Sequence, residues 1–142
     1  MERTLLLVKP DGVNRGLSGE ILGRMEKLGL KMIGLRMLQM DAVLADKHYA
    51  PHRERPFFKD LVTYITSGPI VAAVFEGENA VEKMRKAMGA TDPAKSEKGT
   101  VRGDLGINIE QNTVHGSDSA ENAKHEISLF FSESELVNYN RR

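Results

Sequence analysis

The chain of 142 residues contains no cysteine. Disulfides and thiolate chemistry are therefore excluded, and a reducing cytoplasm is the expected compartment. Net charge is also missing: 20 Lys and Arg balance 20 Asp and Glu. Neither nucleic acid nor a membrane surface is demanded as a partner by that balance. Long apolar runs are lacking as well, and Leu5-Leu6-Leu7-Val8 is too short for a secretion signal or a membrane span. The sequence has no H-E-x-x-H motif and no internal repeat or low-complexity stretch. What remains suffices for a single domain over residues 1–142 with a real core, expected to be soluble.

Hydrophobic patterning gives the elements. Residues 4–9 read as a buried strand stopped by the breaker Pro10-Asp11-Gly12. Ser18 can cap a helix with Ile21, Leu22, Met25 and Leu28 on its apolar face, ended by Gly29. Residues 30–40 follow as a second strand, and Asp41 caps a short helix through Tyr49. Pro56 opens another helix over residues 57–65. Residues 70–76 form the clearest strand, and residues 79–88 a helix stopped by Gly89. Residues 89–104 read as loop. A helix is expected over residues 119–125 and a strand over 126–131, on the β propensity of Ile127, Leu129 and Phe131. Ser132 and Glu135 can cap a last helical turn. Without the inserted helices the order is βαββαβ. The fold class expected is α/β (α+β), a ferredoxin-like sandwich with a four-stranded antiparallel sheet.

The densest chemical signal is Asn112-Thr113-Val114-His115-Gly116-Ser117-Asp118-Ser119. Histidine can act as a nucleophile near neutral pH without prior deprotonation by a base. Gly116 permits a tight turn, and Asp118-Ser119-Ala120-Glu121 has the spacing of a capping box. His115 is thus expected at the mouth of a helix N-terminus, where an anion such as phosphate is favoured. His48 and His52 have a metal-ligand spacing, but Pro51 interrupts the helix between them. His125, flanked by Lys124 and Glu126, suits a solvated helix end. Lys9 at a strand end, Arg85 beside an apolar helix stripe and Arg102 in a Gly-flanked stretch could serve phosphate. They matter as a set only if the fold gathers them near His115.

Several segments together resemble nucleoside diphosphate kinase. They are Val8-Lys9-Pro10-Asp11-Gly12-Val13, Arg55-Pro56-Phe57-Phe58, Thr66-Ser67-Gly68-Pro69-Ile70-Val71, Gly89-Ala90-Thr91-Asp92-Pro93, Gly99-Thr100-Val101-Arg102-Gly103-Asp104 and the His115 segment. The resemblance runs in order over residues 3–139. It implies ping-pong transfer of the γ-phosphate from a nucleoside triphosphate, mainly ATP, to a nucleoside diphosphate. In that scheme His115 matches the nucleophile that becomes phosphohistidine. Lys9 matches the lysine on the transferred phosphate and sugar 3′-hydroxyl, Phe57 the aromatic stacked on the base, and Asn112 the amide holding the sugar. Arg85, Thr91 and Arg102 match phosphate-binding residues. Tyr49 matches the tyrosine near the lysine, and Ser117 and Glu126 match residues that orient the histidine.

The resemblance also implies magnesium carried mainly by the nucleotide phosphates, without a dedicated protein cage, and a homo-oligomer, hexamer slightly before tetramer. This chain departs from the family pattern at Lys98, Phe75 and Glu110-Gln111, and its tail to Arg142 is short. Glu110 would add a negative charge near the nucleotide. Two competing expectations stand beside this one. One is a catalytically silent regulatory or nucleic-acid-binding member of the same fold; the other is a metal-dependent hydrolase using His48 and His52.

Overall fold

The structure, a computed structural model, describes residues 1–109 and 111–141. Its four strands are β1 (Glu2–Val8), β2 (Lys31–Leu38), β3 (Ile70–Gly77) and β4 (Val114–Gly116). They form one sheet in the order β2-β3-β1-β4, with every neighbouring pair antiparallel. Seven helices accompany them among the described residues: α1 (Pro10–Asn14), α2 (Ser18–Glu26), α3 (Ala42–His48), α4 (Phe58–Ile65), α5 (Ala80–Met88), α6 (Val101–Leu105) and α7 (Ala120–Phe130). This is the expected α+β sheet architecture.

β1 lies inside the sheet and is apolar on both faces. Leu5 and Leu7 point into one core with α3, α4 and α7, where Tyr49, Ile65, Ile127 and Phe130 pack. Leu6 and Val8 point into the other, built with α2 and α5 through Ile21, Met25, Met84 and Met88. Such two-sided burial requires an unbroken apolar run rather than alternation, as residues 5–8 supply. Each fully buried leucine contributes about 1.5–3 kcal/mol of burial free energy.

Three expectations fail, each for a local reason. The fourth strand is β4, not residues 126–131. Residues 126–130 belong to α7, whose cap Ser119 accepts a hydrogen bond from the Asn122 amide. Ala123, Ile127 and Phe130 are buried while Lys124, His125 and Ser128 are exposed, so helical spacing overrides the β propensity of Ile and Phe. β4 escapes pattern reading because three residues are too few to show alternation. The second failure is Pro10-Asp11-Gly12, which starts α1 with Pro at its first turn instead of breaking the chain. The third is the stretch 89–104. It contains a 3-10 turn at Pro93–Lys95, capped by Asp92, and enters α6, capped by Thr100. Both pieces are fixed by caps, too short for a periodic signal.

Other signals hold. Asp41 caps α3 by accepting from the Leu44 amide at 2.8 Å. Gly89 ends α5 with φ of 88°, a left-handed conformation that suits glycine. One cap does not hold: Leu17 takes the cap position of α2, and Ser18, expected there, is its first helical residue. Among the described residues no helix is long and apolar enough to cross a membrane.

Candidate active site

β4 is short, yet it carries His115 beside Leu7 of β1. Its approach to α5 depends on Gly116, where a Cβ would stand 2.5 Å from the Met88 sulfur. Thr113, just before the strand, has φ of 80°, an uncommon conformation for a β-branched residue. Backbone strain of about 1–3 kcal/mol is typical of such positions and clusters at functional sites. The turn is pinned by the Lys9 amide, which donates to the Thr113 carbonyl at 2.8 Å. The end of β1 and the start of β4 are thereby locked side by side.

That lock brings three predicted residues together. The Lys9 ammonium donates to Asn112 Oδ1 at 2.8 Å, and Asn112 Nδ2 donates to the Thr91 carbonyl at 3.0 Å. Thr91 joins this chain through its backbone; its side chain is exposed. Burial, and then the positive charge of Arg102, lower the Lys9 ammonium to about 8, while Asp11 acts in the opposite direction.

A second group surrounds the histidine. His115 Nε2 and Glu126 Oε2 of α7 are 2.8 Å apart. The ring is therefore held by a carboxylate further along α7, rather than by the N-terminus of that helix. With Nε2 bonded as an N–H donor, Nδ1 keeps the lone pair. Burial opposes ionisation of Glu126, but the hydrogen bond and charge of His115, with help from Ser117 and His48, bring the carboxyl down to about 2. Ser117 is buried close to this carboxylate, although its hydroxyl makes no hydrogen bond of normal geometry.

Tyr49, at the C-terminal end of α3, is a core residue. Its ring lies 4.7 Å from that of His48, which lies 4.7 Å edge-on to His115. Sequence reasoning missed this role of His48, pairing it with His52. The structure divides that pair: His48 is buried and His52 exposed on the following turn. The contact between His48 and His115 joins segments distant in sequence, so spacing carried no trace of it. Asp11 and Tyr64 were also missed. The Tyr64 hydroxyl donates to the Asp11 carboxylate and accepts from the Asp11 amide, two residues beyond Lys9.

Arg102, read from its Gly-flanked stretch as a phosphate cation, also has a structural part: its guanidinium is buried and donates to the Gly89 carbonyl at 3.1 Å and the Val114 carbonyl at 2.8 Å. Burial and the nearby Arg85 lower its ordinarily very high pKa to about 10. Arg85 itself is exposed on α5. Two close guanidiniums, one of them buried, repel each other unless an anion lies between them. Phe57, 45% exposed just before α4, has its ring centroid 5.7 Å from that of His52. Glu110, expected near the nucleotide, lies outside the described residues.

Among the described residues, the grouping of His and acidic side chains able to hold a cation is His48, His115 and Glu126. Two imidazoles and one carboxylate suit a transition ion; magnesium prefers an all-oxygen shell, so these residues do not fit it.

The chain matches the family model described as nucleoside diphosphate kinase over residues 2–136. It is 99% identical over 142 residues to a nucleoside diphosphate kinase of Dehalococcoides mccartyi, with 100% of both chains covered. A nucleoside diphosphate kinase of Thermomicrobium roseum is 57% identical over 99% of this chain and 95% of that relative. Among solved structures, a halophilic nucleoside diphosphate kinase from Halobacterium salinarum in complex with CDP superposes with a TM-score of 0.96. It is 48% identical, over 99% of this chain and 93% of the other.

Proposed function

Because the chain belongs to the nucleoside diphosphate kinase family, and is thus a nucleotide-binding phosphotransferase, we propose that His115 is the residue that carries the phosphoryl group. The observation that supports this reading most directly is the 2.8 Å bond between His115 Nε2 and Glu126 Oε2. It fixes the tautomer whose Nδ1 lone pair is available for attack.

In the first half-reaction, Nδ1 attacks the γ-phosphorus of a nucleoside triphosphate. The bond from that phosphorus to the bridging oxygen breaks, and the nucleoside diphosphate leaves with the electron pair. The imidazole gains positive character, which Glu126 offsets through Nε2–H. In the second half-reaction, a terminal oxygen of another nucleoside diphosphate attacks the phosphorus, the P–N bond breaks, and the neutral imidazole returns. Phosphoryl transfer needs mainly alignment and charge stabilisation. Lys9, Arg85 and Arg102 supply the positive charge, Thr91 and Asn112 hold phosphate and sugar, and Phe57 offers an exposed face to the base. Tyr49 and Ser117 support the lysine and the histidine. Magnesium would enter on the nucleotide's phosphate oxygens.

Incubation with γ-labelled ATP tests the reading. The protein should take up label in an acid-labile, alkali-stable form, and His115→Ala should take up none; label persisting in that variant refutes the assignment.

We further propose a cytoplasmic homo-oligomer, hexamer rather than tetramer. Support comes from β2, an edge strand with Leu35 and Met37 exposed, an arrangement that favours pairing with another chain. A monomeric mass by light scattering would contradict it.

A further inference from the structure

His48 is the least explained side chain in the molecule. Its imidazole is 1% exposed, and neither ring nitrogen has a hydrogen-bond partner. Burying such a group unpaired costs about 1–3 kcal/mol. Phosphoryl transfer as proposed above makes no use of it. A tyrosine on one side and Phe130 on the other hold the ring, the latter at 5.7 Å. What the ring does face is Glu126, whose Oε2 lies 3.6 Å from His48 Nδ1 and 2.8 Å from His115 Nε2. One carboxylate oxygen therefore sits between two imidazoles, and the candidate ligand atoms all lie within 4.8 Å of one another.

We propose that His48, His115 and Glu126 form a site for a borderline divalent cation such as zinc, and that the bound ion switches His115 off as a nucleophile. Zinc takes nitrogen at about 2.0–2.1 Å and carboxylate oxygen at about 2.0–2.2 Å, so tetrahedral ligand atoms stand about 3.3 Å apart. The two measured separations lie on either side of that value. The donor set, two histidines and one carboxylate, is common in zinc sites that keep a coordination position open. His115 is partly exposed, which leaves that position for water. Both ring nitrogens of His48 lack a hydrogen-bond partner, so one is free to take a metal.

Ligation has a defined effect on the nucleophile. The metal takes the lone pair of His115 Nε2, so the proton on that nitrogen moves to Nδ1. No proton is lost: the Nε2–H bond breaks, an Nδ1–H bond forms, and metal–ligand bonds from His115 Nε2 and Glu126 Oε2 replace the hydrogen bond between them. Nδ1, now an N–H, can no longer attack phosphorus. The metal site stands on geometry alone; its inhibitory consequence rests on the reading of His115 given above.

The test uses the full-length protein without nucleotide, titrated with cobalt(II) as a spectroscopic substitute for zinc. One equivalent per chain should produce the visible absorption of a low-coordinate cobalt site, and zinc should displace it. His115→Ala and Glu126→Gln should each weaken cobalt binding by at least about tenfold. His48→Asn should do the same, while His52→Ala should leave binding unchanged. An aqueous-type octahedral spectrum, binding retained in His115→Ala and Glu126→Gln, or loss of binding in His52→Ala would overturn the site. Label uptake from γ-labelled ATP is then compared for metal-free and zinc-loaded protein, after removal of unbound zinc. Uptake should fall by at least about tenfold in proportion to bound zinc; full uptake by loaded protein overturns the switch. Cobalt binding with no label on metal-free protein would refute the phosphohistidine reading and leave the site standing.

Discussion

Replacing Glu126 by Gln keeps the volume of the side chain and removes only its charge, which isolates the electrostatic part of its hold on His115. A hydrogen bond with an ionised partner contributes about 1.5–3 kcal/mol. The 2.8 Å contact to His115 is mostly shielded from water, with Glu126 13% exposed, so little of this is screened. At about 1.4 kcal/mol per tenfold, the full range corresponds to roughly 10- to 150-fold in rate. A Gln carbonyl still accepts from Nε2–H, so the expected loss is the lower part, about 10- to 50-fold. Rapid-quench measurement of single-turnover phosphorylation by ATP reads this step directly. Affinity for a nucleoside diphosphate should stay within about twofold, because the proposed nucleotide contacts lie elsewhere. The carboxyl is ionised more readily in the folded chain, at about 2, than in the unfolded chain near 4.5. Its stabilisation is therefore complete above the unfolded value and fades as pH falls toward the folded one. The Tm gap between parent and variant should shrink in acid accordingly. An unchanged phosphorylation rate, or an equal loss in nucleotide affinity, would refute the reasoning.

Arg85→Ala should lower kcat at least roughly tenfold with Tm preserved, since Arg85 is exposed. Arg102→Ala should lower kcat as much and also cost about 2–4 kcal/mol in urea unfolding, because two carbonyls lose their donor; equal stability in the two variants would contradict the geometry. Lys9 sheds its proton near 8 as pH rises, so kcat/KM should hold below that pH and decline above it. Asp11→Asn removes the charge that opposes this loss, and should move the decline to lower pH. Phe57→Ala should raise KM for every nucleoside diphosphate without reordering them, since stacking is tolerant of base identity. A preference beyond roughly a thousandfold for one base would mean that polar groups read its edge.

Much of the scaffold was legible because its signals are local. The apolar runs of β1 and β3, the Asp41 cap and the Gly89 stop each act over a few residues, and the chain obeys them. The composition of the His115 segment pointed to phosphate chemistry, and the roles proposed for its residues come from the family resemblance. Sequence could not choose between helix and strand for residues 126–131, because Ile and Phe suit a strand while their spacing suits a helix. That competition was resolved only when α7 had a core on which to lay Ala123, Ile127 and Phe130. Nor could it reveal β4, whose strand character comes from pairing with β1 rather than from three residues of its own. Tertiary structure alone decided that Arg102 holds two carbonyls, that Tyr49 is core, and that His48 belongs with His115 instead of His52. The physical reason is common to all three. Propensities and caps are properties of neighbours along the chain, whereas burial, charge coupling and ring contacts depend on which distant segments the sheet brings together.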